Sequence, residues 1–178
     1  MEISKLVTEL YEYNVNEHTE SKNGLTYLSW AWAWITALKH DPEAVYEVQI
    51  FDNKPYVFDE NLGYIVFTSV TMAGNTKHMQ LPVMDNKNKA QKHVEYKYTT
   101  KTGEQTVQPA TMFDINTSIM RCLAKNLAMF GLGAYIYAGE DLPESYEEKE
   151  TITDEEKQIK KEKAKTSFKE QAINNIRR

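Results

Sequence analysis

Between Thr111 and Phe130 apolar residues return at every fourth position: Ile115, Ile119, Leu123 and Leu127, with Cys122 and Phe130 beside them. A four-residue return stays on one face of a 3.6-residue helix, so this stretch carries a long apolar stripe that needs a partner surface. Thr111 opens it, and Asp114 stands three places on, a shorter acid where the glutamate of a capping box would be. Gly131 closes it and suits a left-handed C-cap. So one-sided a helix draws its stability from packing, and the rest of the chain has to supply the other half of the core.

That other half reads as β-structure. Ala44 to Phe51 is β-rich, Asp52-Asn53 can turn the chain into Lys54 to Phe58, and Gly63 to Ala73 is dense in β-branched and aromatic residues. Gly74-Asn75 is placed for a hairpin turn before Thr76 to Val83. These segments predict an antiparallel meander. Ahead of them, Leu6, Leu10 and Tyr13, with Ile3 and Val7 alongside, give a short amphipathic helix over residues 3–14, followed by a polar stretch from Asn16 to Gly24. The run from Thr26 to His40 favours a helix through Ala31, Ala33, Ala37 and Leu38, with Ser29 as a candidate N-cap. On that helix Tyr27, Trp30, Trp34 and Leu38 share a core face and Trp32 points elsewhere. Asp85 to Gln108 is polar and lysine-rich, with a weak strand signal at Val94 to Tyr98, and reads as a long mobile hairpin or loop. Ala134 to Ala138 reads as a short strand or extended segment. The expected fold is α+β, an antiparallel β-meander packed against a long helix, over residues 1–144. Residues 145–178 form a charged tail, helical or disordered, with a capping box at Thr153 and Glu156 but sparse apolar positions (Ile159, Phe168, Ile173, Ile176).

Several chemistries lack their residues. There is no GxxxxGK[ST] phosphate loop, which argues against ATP-driven strand exchange or unwinding. No CxxC pair occurs, and His18, His40, His78 and His93 are too scattered for a metal site. Glu140, Asp141 and Glu144 cluster and could hold Mg²⁺ for a nuclease, but acids beside Pro143 commonly end a domain. No serine or cysteine has a recognisable base beside it, so no enzyme, no metal and no cofactor is expected. The lone Cys122 falls on the apolar side of its helix and reads as a core residue. No apolar run approaches the roughly 20 residues that span a bilayer, and Met1 to Lys5 lacks the pattern of a signal peptide. A cytoplasmic location is expected.

The net charge of −5 is unexpected for a nucleic-acid binder, but its distribution is uneven. Acids dominate up to Asn61. From Gly63 to Phe130 the balance reverses, with Lys77, Lys87, Lys89, Lys92, Lys97, Lys101, Arg121 and Lys125 against few carboxylates. Lys92, His93, Tyr96, Lys97, Tyr98 and Lys101 interleave cations with aromatics, the composition that serves phosphates and base faces of a single strand. Strand alternation puts Tyr96 and Tyr98 on one face and Lys97 and Lys101 off it. Arg121 and Lys125, four apart, project from one side of the long helix, off its apolar stripe, where an anion would relieve their mutual repulsion. Ordinary solvated charges would look the same. Trp32 is the tryptophan expected to be exposed, to DNA or to a neighbouring subunit, whereas Trp30 and Trp34 are expected in the core.

The stretch RCLAKNLAMFGLGAYIYAGEDLPE, Arg121 to Glu144, resembles the C-terminal signature of a phage single-strand annealing family, the third Sak class. Tyr27-Leu-Ser-Trp30-Ala, Leu81-Pro-Val-Met-Asp85 and Asp114-Ile-Asn resemble that family's other landmarks, in the same order, and the tail after Tyr146 lies outside the resemblance. The resemblance implies a fold like that of the eukaryotic Rad-group annealing protein and the phage Red-beta and Erf proteins, whose subunits form rings or filaments with a positive groove. It implies single-stranded DNA as partner, homo-oligomerisation, a role in phage recombination inside a bacterial cell, and a phage exonuclease or host single-strand binding protein as a further partner. It also implies that Arg121 and Lys125 contact DNA. Lys87, Lys89, Lys92, Lys97, Lys101, Tyr96, Tyr98 and Trp32 are candidates from charge and aromatic pattern alone. Two other readings stay open: a single-strand coat protein without annealing activity, which the long helix fits poorly as an OB barrel, and a Mg²⁺-dependent nuclease.

Overall fold

The computed structural model describes residues 2–22, 25–101 and 103–138. Its chain order is helix α1 (Ile3–Tyr11), a 3₁₀ turn (Asn16–His18), a hairpin of β1 (Thr19–Lys22) and β2 (Leu25–Leu28), and helix α2 (Trp30–His40). Strands β3 (Val45–Val48), β4 (Val57–Asp59), β5 (Gly63–Met72) and β6 (Asn75–Pro82) follow, then a hairpin of β7 (Tyr96–Thr100) and β8 (Gly103–Val107). Helix α3 (Met112–Ala128) and a second 3₁₀ turn (Ala134–Tyr137) complete it.

The ten-residue β5 is the axis of the main sheet. One of its edges pairs antiparallel with β6 along nearly its whole length; the other is shared, β4 taking Gly63 to Ile65 and β3 taking Thr68 to Thr71. The expected α+β class and antiparallel meander are therefore present. Alternation along β5 puts Val66, Thr68, Val70 and Met72 on one face, all buried. That face receives α3, whose stripe of Ile115, Ile119, Leu123 and Leu127 is buried, together with Cys122 and Phe130. Thr111 and Asp114 form the capping box. Helix α2 packs beside α3, and Leu6 and Leu10 of α1 join the same core as Val70, Leu123 and Phe130.

One buried polar side chain crosses this seam. The Asn126 amide donates from Nδ2 to the carbonyl of Thr68 at 3.1 Å and of Lys77 at 3.2 Å, bridging α3 to β5 and β6. Thr68 Oγ1 in turn donates to Cys122 Sγ at 3.3 Å. At the far end of α3 the chain turns through Gly131 and Gly133, both with positive φ. A Cβ on Gly131 would lie 2.9 Å from the Val7 carbonyl oxygen, so α1 seats directly on this turn. Tyr135 then reaches back, its hydroxyl accepting from the Val15 backbone N–H and donating to Asn16 Oδ1, both at 3.0 Å.

Four sequence expectations need correction. Residues 26–28, read with the second helix, belong to β2; Ser29 caps α2 as expected, so Tyr27 is a strand residue and not on the helix face with Trp34. The polar stretch after Asn16 contains a 3₁₀ turn and β1, paired with β2. The hairpin turn lies one residue earlier than Gly74-Asn75: Met72 pairs with Asn75, leaving Ala73 and Gly74 as the loop with positive φ at both, the primed geometry that matches strand twist. Ala134–Tyr137 is a 3₁₀ turn, because the two glycines before it redirect the chain onto α1 instead of extending it along the sheet. The sequence-predicted tail, 145–178, lies outside the described residues.

Candidate functional site

The basic candidates gather in two places. The first is a small cleft lined by Thr26, Tyr27 and Leu28 of β2, Arg121 and Lys125 of α3, and Tyr137 of the second 3₁₀ turn. Arg121 and Lys125 are half-buried on the rim of α3, one turn apart, while their neighbours Cys122 and Leu123 go into the core. The Arg121 guanidinium carbon stands 4.7 Å from the centre of the Tyr27 ring, and Lys125 Nζ stands 5.2 Å from that of Tyr137. Both lie within the roughly 6 Å over which a ring face attracts a cation. The cleft therefore sets two basic side chains, one helical turn apart, over two tyrosine rings.

The second place is the β7–β8 hairpin and the loop before it. Residues 85–92 fold back along the hairpin, with Asp85 Oδ1 accepting from the backbone N–H groups of Lys87 and Lys89. Tyr96 and Tyr98 do share one face, as strand alternation predicts, and it is turned toward this loop. Lys92 Nζ lies 5.1 Å from the Tyr96 ring centre and Lys89 Nζ 5.3 Å from that of Tyr98. Tyr96 also donates its hydroxyl proton to the Ala90 carbonyl at 2.7 Å, and burial pushes its pKa upward. These rings therefore do not stand open as base platforms on the face the lysines occupy. Lys97 and Lys101 are exposed; Lys97 is held by Glu104 across the hairpin at 2.6 Å, and Lys87 Nζ donates to Gln105 Oε1.

The tryptophans are placed differently from expectation. Trp32 is half-buried and stacked on His18, ring centres 4.1 Å apart and planes 17° from parallel, with Tyr13 edge-on to it. Trp30, expected in the core, is the exposed one at 42 %. As the first residue of α2, Trp30 lies at the open end of the helix, whereas Trp34 packs edge-on against Tyr46 of β3. Tyr27 and Tyr137 are the site residues that sequence reasoning missed. Nothing local marks them, since each meets its cation across a gap of many residues.

Among the described residues no group of three or more His, Cys, Asp or Glu side chains could hold a metal ion, and no helix is long and apolar enough to cross a membrane. Glu140, Asp141 and Glu144 lie outside the described residues. A protein-family model described as Sak Single Strand Annealing Protein matches residues 5–167. No curated protein and no solved structure matches the chain significantly.

Proposed function

The chain belongs to the Sak single-strand annealing protein family, and from that premise we propose that it binds single-stranded DNA without ATP and speeds the pairing of complementary strands in phage recombination. The observation that carries this reading is the placement of Arg121 and Lys125 side by side in one cleft, over Tyr27 and Tyr137. Cations so placed neutralise successive phosphates and release counterions, so affinity falls with salt, by a slope of about 0.7 per phosphate contact on single strands. The lysines around the β7–β8 hairpin add further contacts. A homo-oligomeric ring or filament multiplies them, so that contacts weak in one subunit act together. Two strands with reduced mutual repulsion then pair, and base pairing itself supplies the driving force, so the reaction needs no enzyme chemistry and no cofactor. The narrower placement in the third Sak class rests on the Arg121 to Glu144 stretch, and a phage exonuclease or host single-strand binding protein is the partner such a reaction calls for. The site of action is the cytoplasm of the bacterial host.

The test is strand annealing followed by fluorescence without nucleotide. Wild type should speed annealing, and Arg121→Ala with Lys125→Ala should abolish the acceleration; wild-type-like annealing by the double variant would remove the cleft from the mechanism. A coat protein would instead slow annealing, and cleavage of labelled DNA in Mg²⁺ would reveal a nuclease.

A further inference from the structure

Four of the cations assigned to phosphate share one arrangement. Arg121 lies on Tyr27, Lys125 on Tyr137, Lys92 on Tyr96 and Lys89 on Tyr98, at 4.7 to 5.3 Å from the ring centres. Lys77 over Phe130 makes a fifth such pair among the described residues. The four tyrosines come from three separate elements: β2, β7 and the second 3₁₀ turn.

We infer that Tyr27, Tyr96, Tyr98 and Tyr137 are positioning residues of the nucleic-acid interface: each holds a phosphate-binding cation with its ring face, and does not stack a base there. The inference rests on the proposal that these cations bind phosphate. A long basic side chain in water samples many rotamers and loses that freedom when it meets an anion. A cation already held on a ring has lost part of it beforehand, so less is lost on binding. The electron-rich face that attracts the cation is the one a base would need, and a base could use it only by displacing the cation. An interface built this way grips the backbone and leaves the pairing edges of the bases to a complementary strand.

The experiment measures binding of the full chain to two fluorescent probes of equal length, oligo-dT and an abasic deoxyribose-phosphate oligomer, over a salt series. Tyr27→Leu should weaken both probes equally, about three- to tenfold, at an unchanged salt slope, since the same number of phosphates is neutralised. Tyr27→Phe, which keeps the ring face, should bind like wild type. Tyr27→Leu should add nothing to Arg121→Ala. A loss confined to oligo-dT would show base stacking and overturn the inference, as would additive losses in the double variant, or a Tyr27→Phe as weak as Tyr27→Leu. If Arg121→Ala binds both probes like wild type, the phosphate reading of the cleft fails as well; if Arg121→Ala weakens binding and Tyr27→Leu does not, only the role of the tyrosine fails. Tyr98→Leu against Lys89→Ala, on a hairpin outside both core clusters, makes the same comparison should Tyr27→Leu lose its fold by circular dichroism.

Discussion

Asn126 is a fully buried polar side chain in an apolar seam, and it is tolerated because its amide spans both strands beneath it. Replacing it with leucine keeps the volume but strips this donor from one buried and one half-buried carbonyl, which costs on the order of 2 kcal/mol. Urea unfolding of Asn126→Leu should show a lowered midpoint at unchanged slope. Cys122, one turn before it, is also fully buried, and burial pushes its thiol pKa above the ordinary value although the Thr68 hydrogen bond opposes the shift. At pH 8 it should resist a thiol reagent in the native protein and react at once in denaturant; rapid native labelling would contradict its placement. Both residues were legible as members of the helix, but only Cys122 was legible as core. Nothing about an asparagine in sequence tells whether two carbonyls wait for it.

Helix α3 is the element the sequence describes best, because its start, its stripe and its end are all local signals. The box between Thr111 and Asp114 uses both reciprocal bonds, Thr111 N–H to Asp114 Oδ2 at 2.8 Å and Asp114 N–H to Thr111 Oγ1 at 3.4 Å. Thr111→Ala should lower stability by about 1 kcal/mol, read as a fall in Tm with no change in DNA binding, since the cap lies at the opposite end of α3 from Lys125. Strands β5 and β6 were equally legible from their alternation and turn residues. The β1–β2 hairpin was not: strands of four residues carry too short a pattern to separate from a helix start rich in alanine. That miss put Tyr27 on a supposed core face instead of beneath Arg121.

Among the described residues the titrating groups that burial perturbs all shift one way. Cys122 is raised from 9.0, and Tyr11, Tyr64, Tyr96 and Tyr135 from 10.0, desolvation being the first cause in each. A group whose folded pKa is raised holds its proton more tightly when folded, so its contribution is complete below the unfolded value and is lost as pH rises through the folded one. These groups should therefore make stability fall from about pH 9 upward, steepening above pH 10 as the tyrosines ionise. Thermal unfolding across pH 7 to 11 checks this, and a Tm that climbs between pH 9 and 11 would contradict it. On the proposed reading a chain of net charge −5 meets an anionic partner through a local field: Arg121 and Lys125 share one rim of α3, and such binding responds to local charge more than to the total.

The sequence alone determined the α+β class, the span of α3, the antiparallel pairing of β5 with β6, and the presence of Arg121 and Lys125 off the apolar stripe. All of these follow from periodicity, caps and turns, which act between near neighbours. Tertiary structure alone decided which rings the cations rest on, which tryptophan meets solvent, and which carbonyls the Asn126 amide nitrogen reaches. Those are contacts between residues far apart in the chain, such as Tyr27 with Arg121, and a ring or a charge carries no local mark of the partner that folding will bring to it.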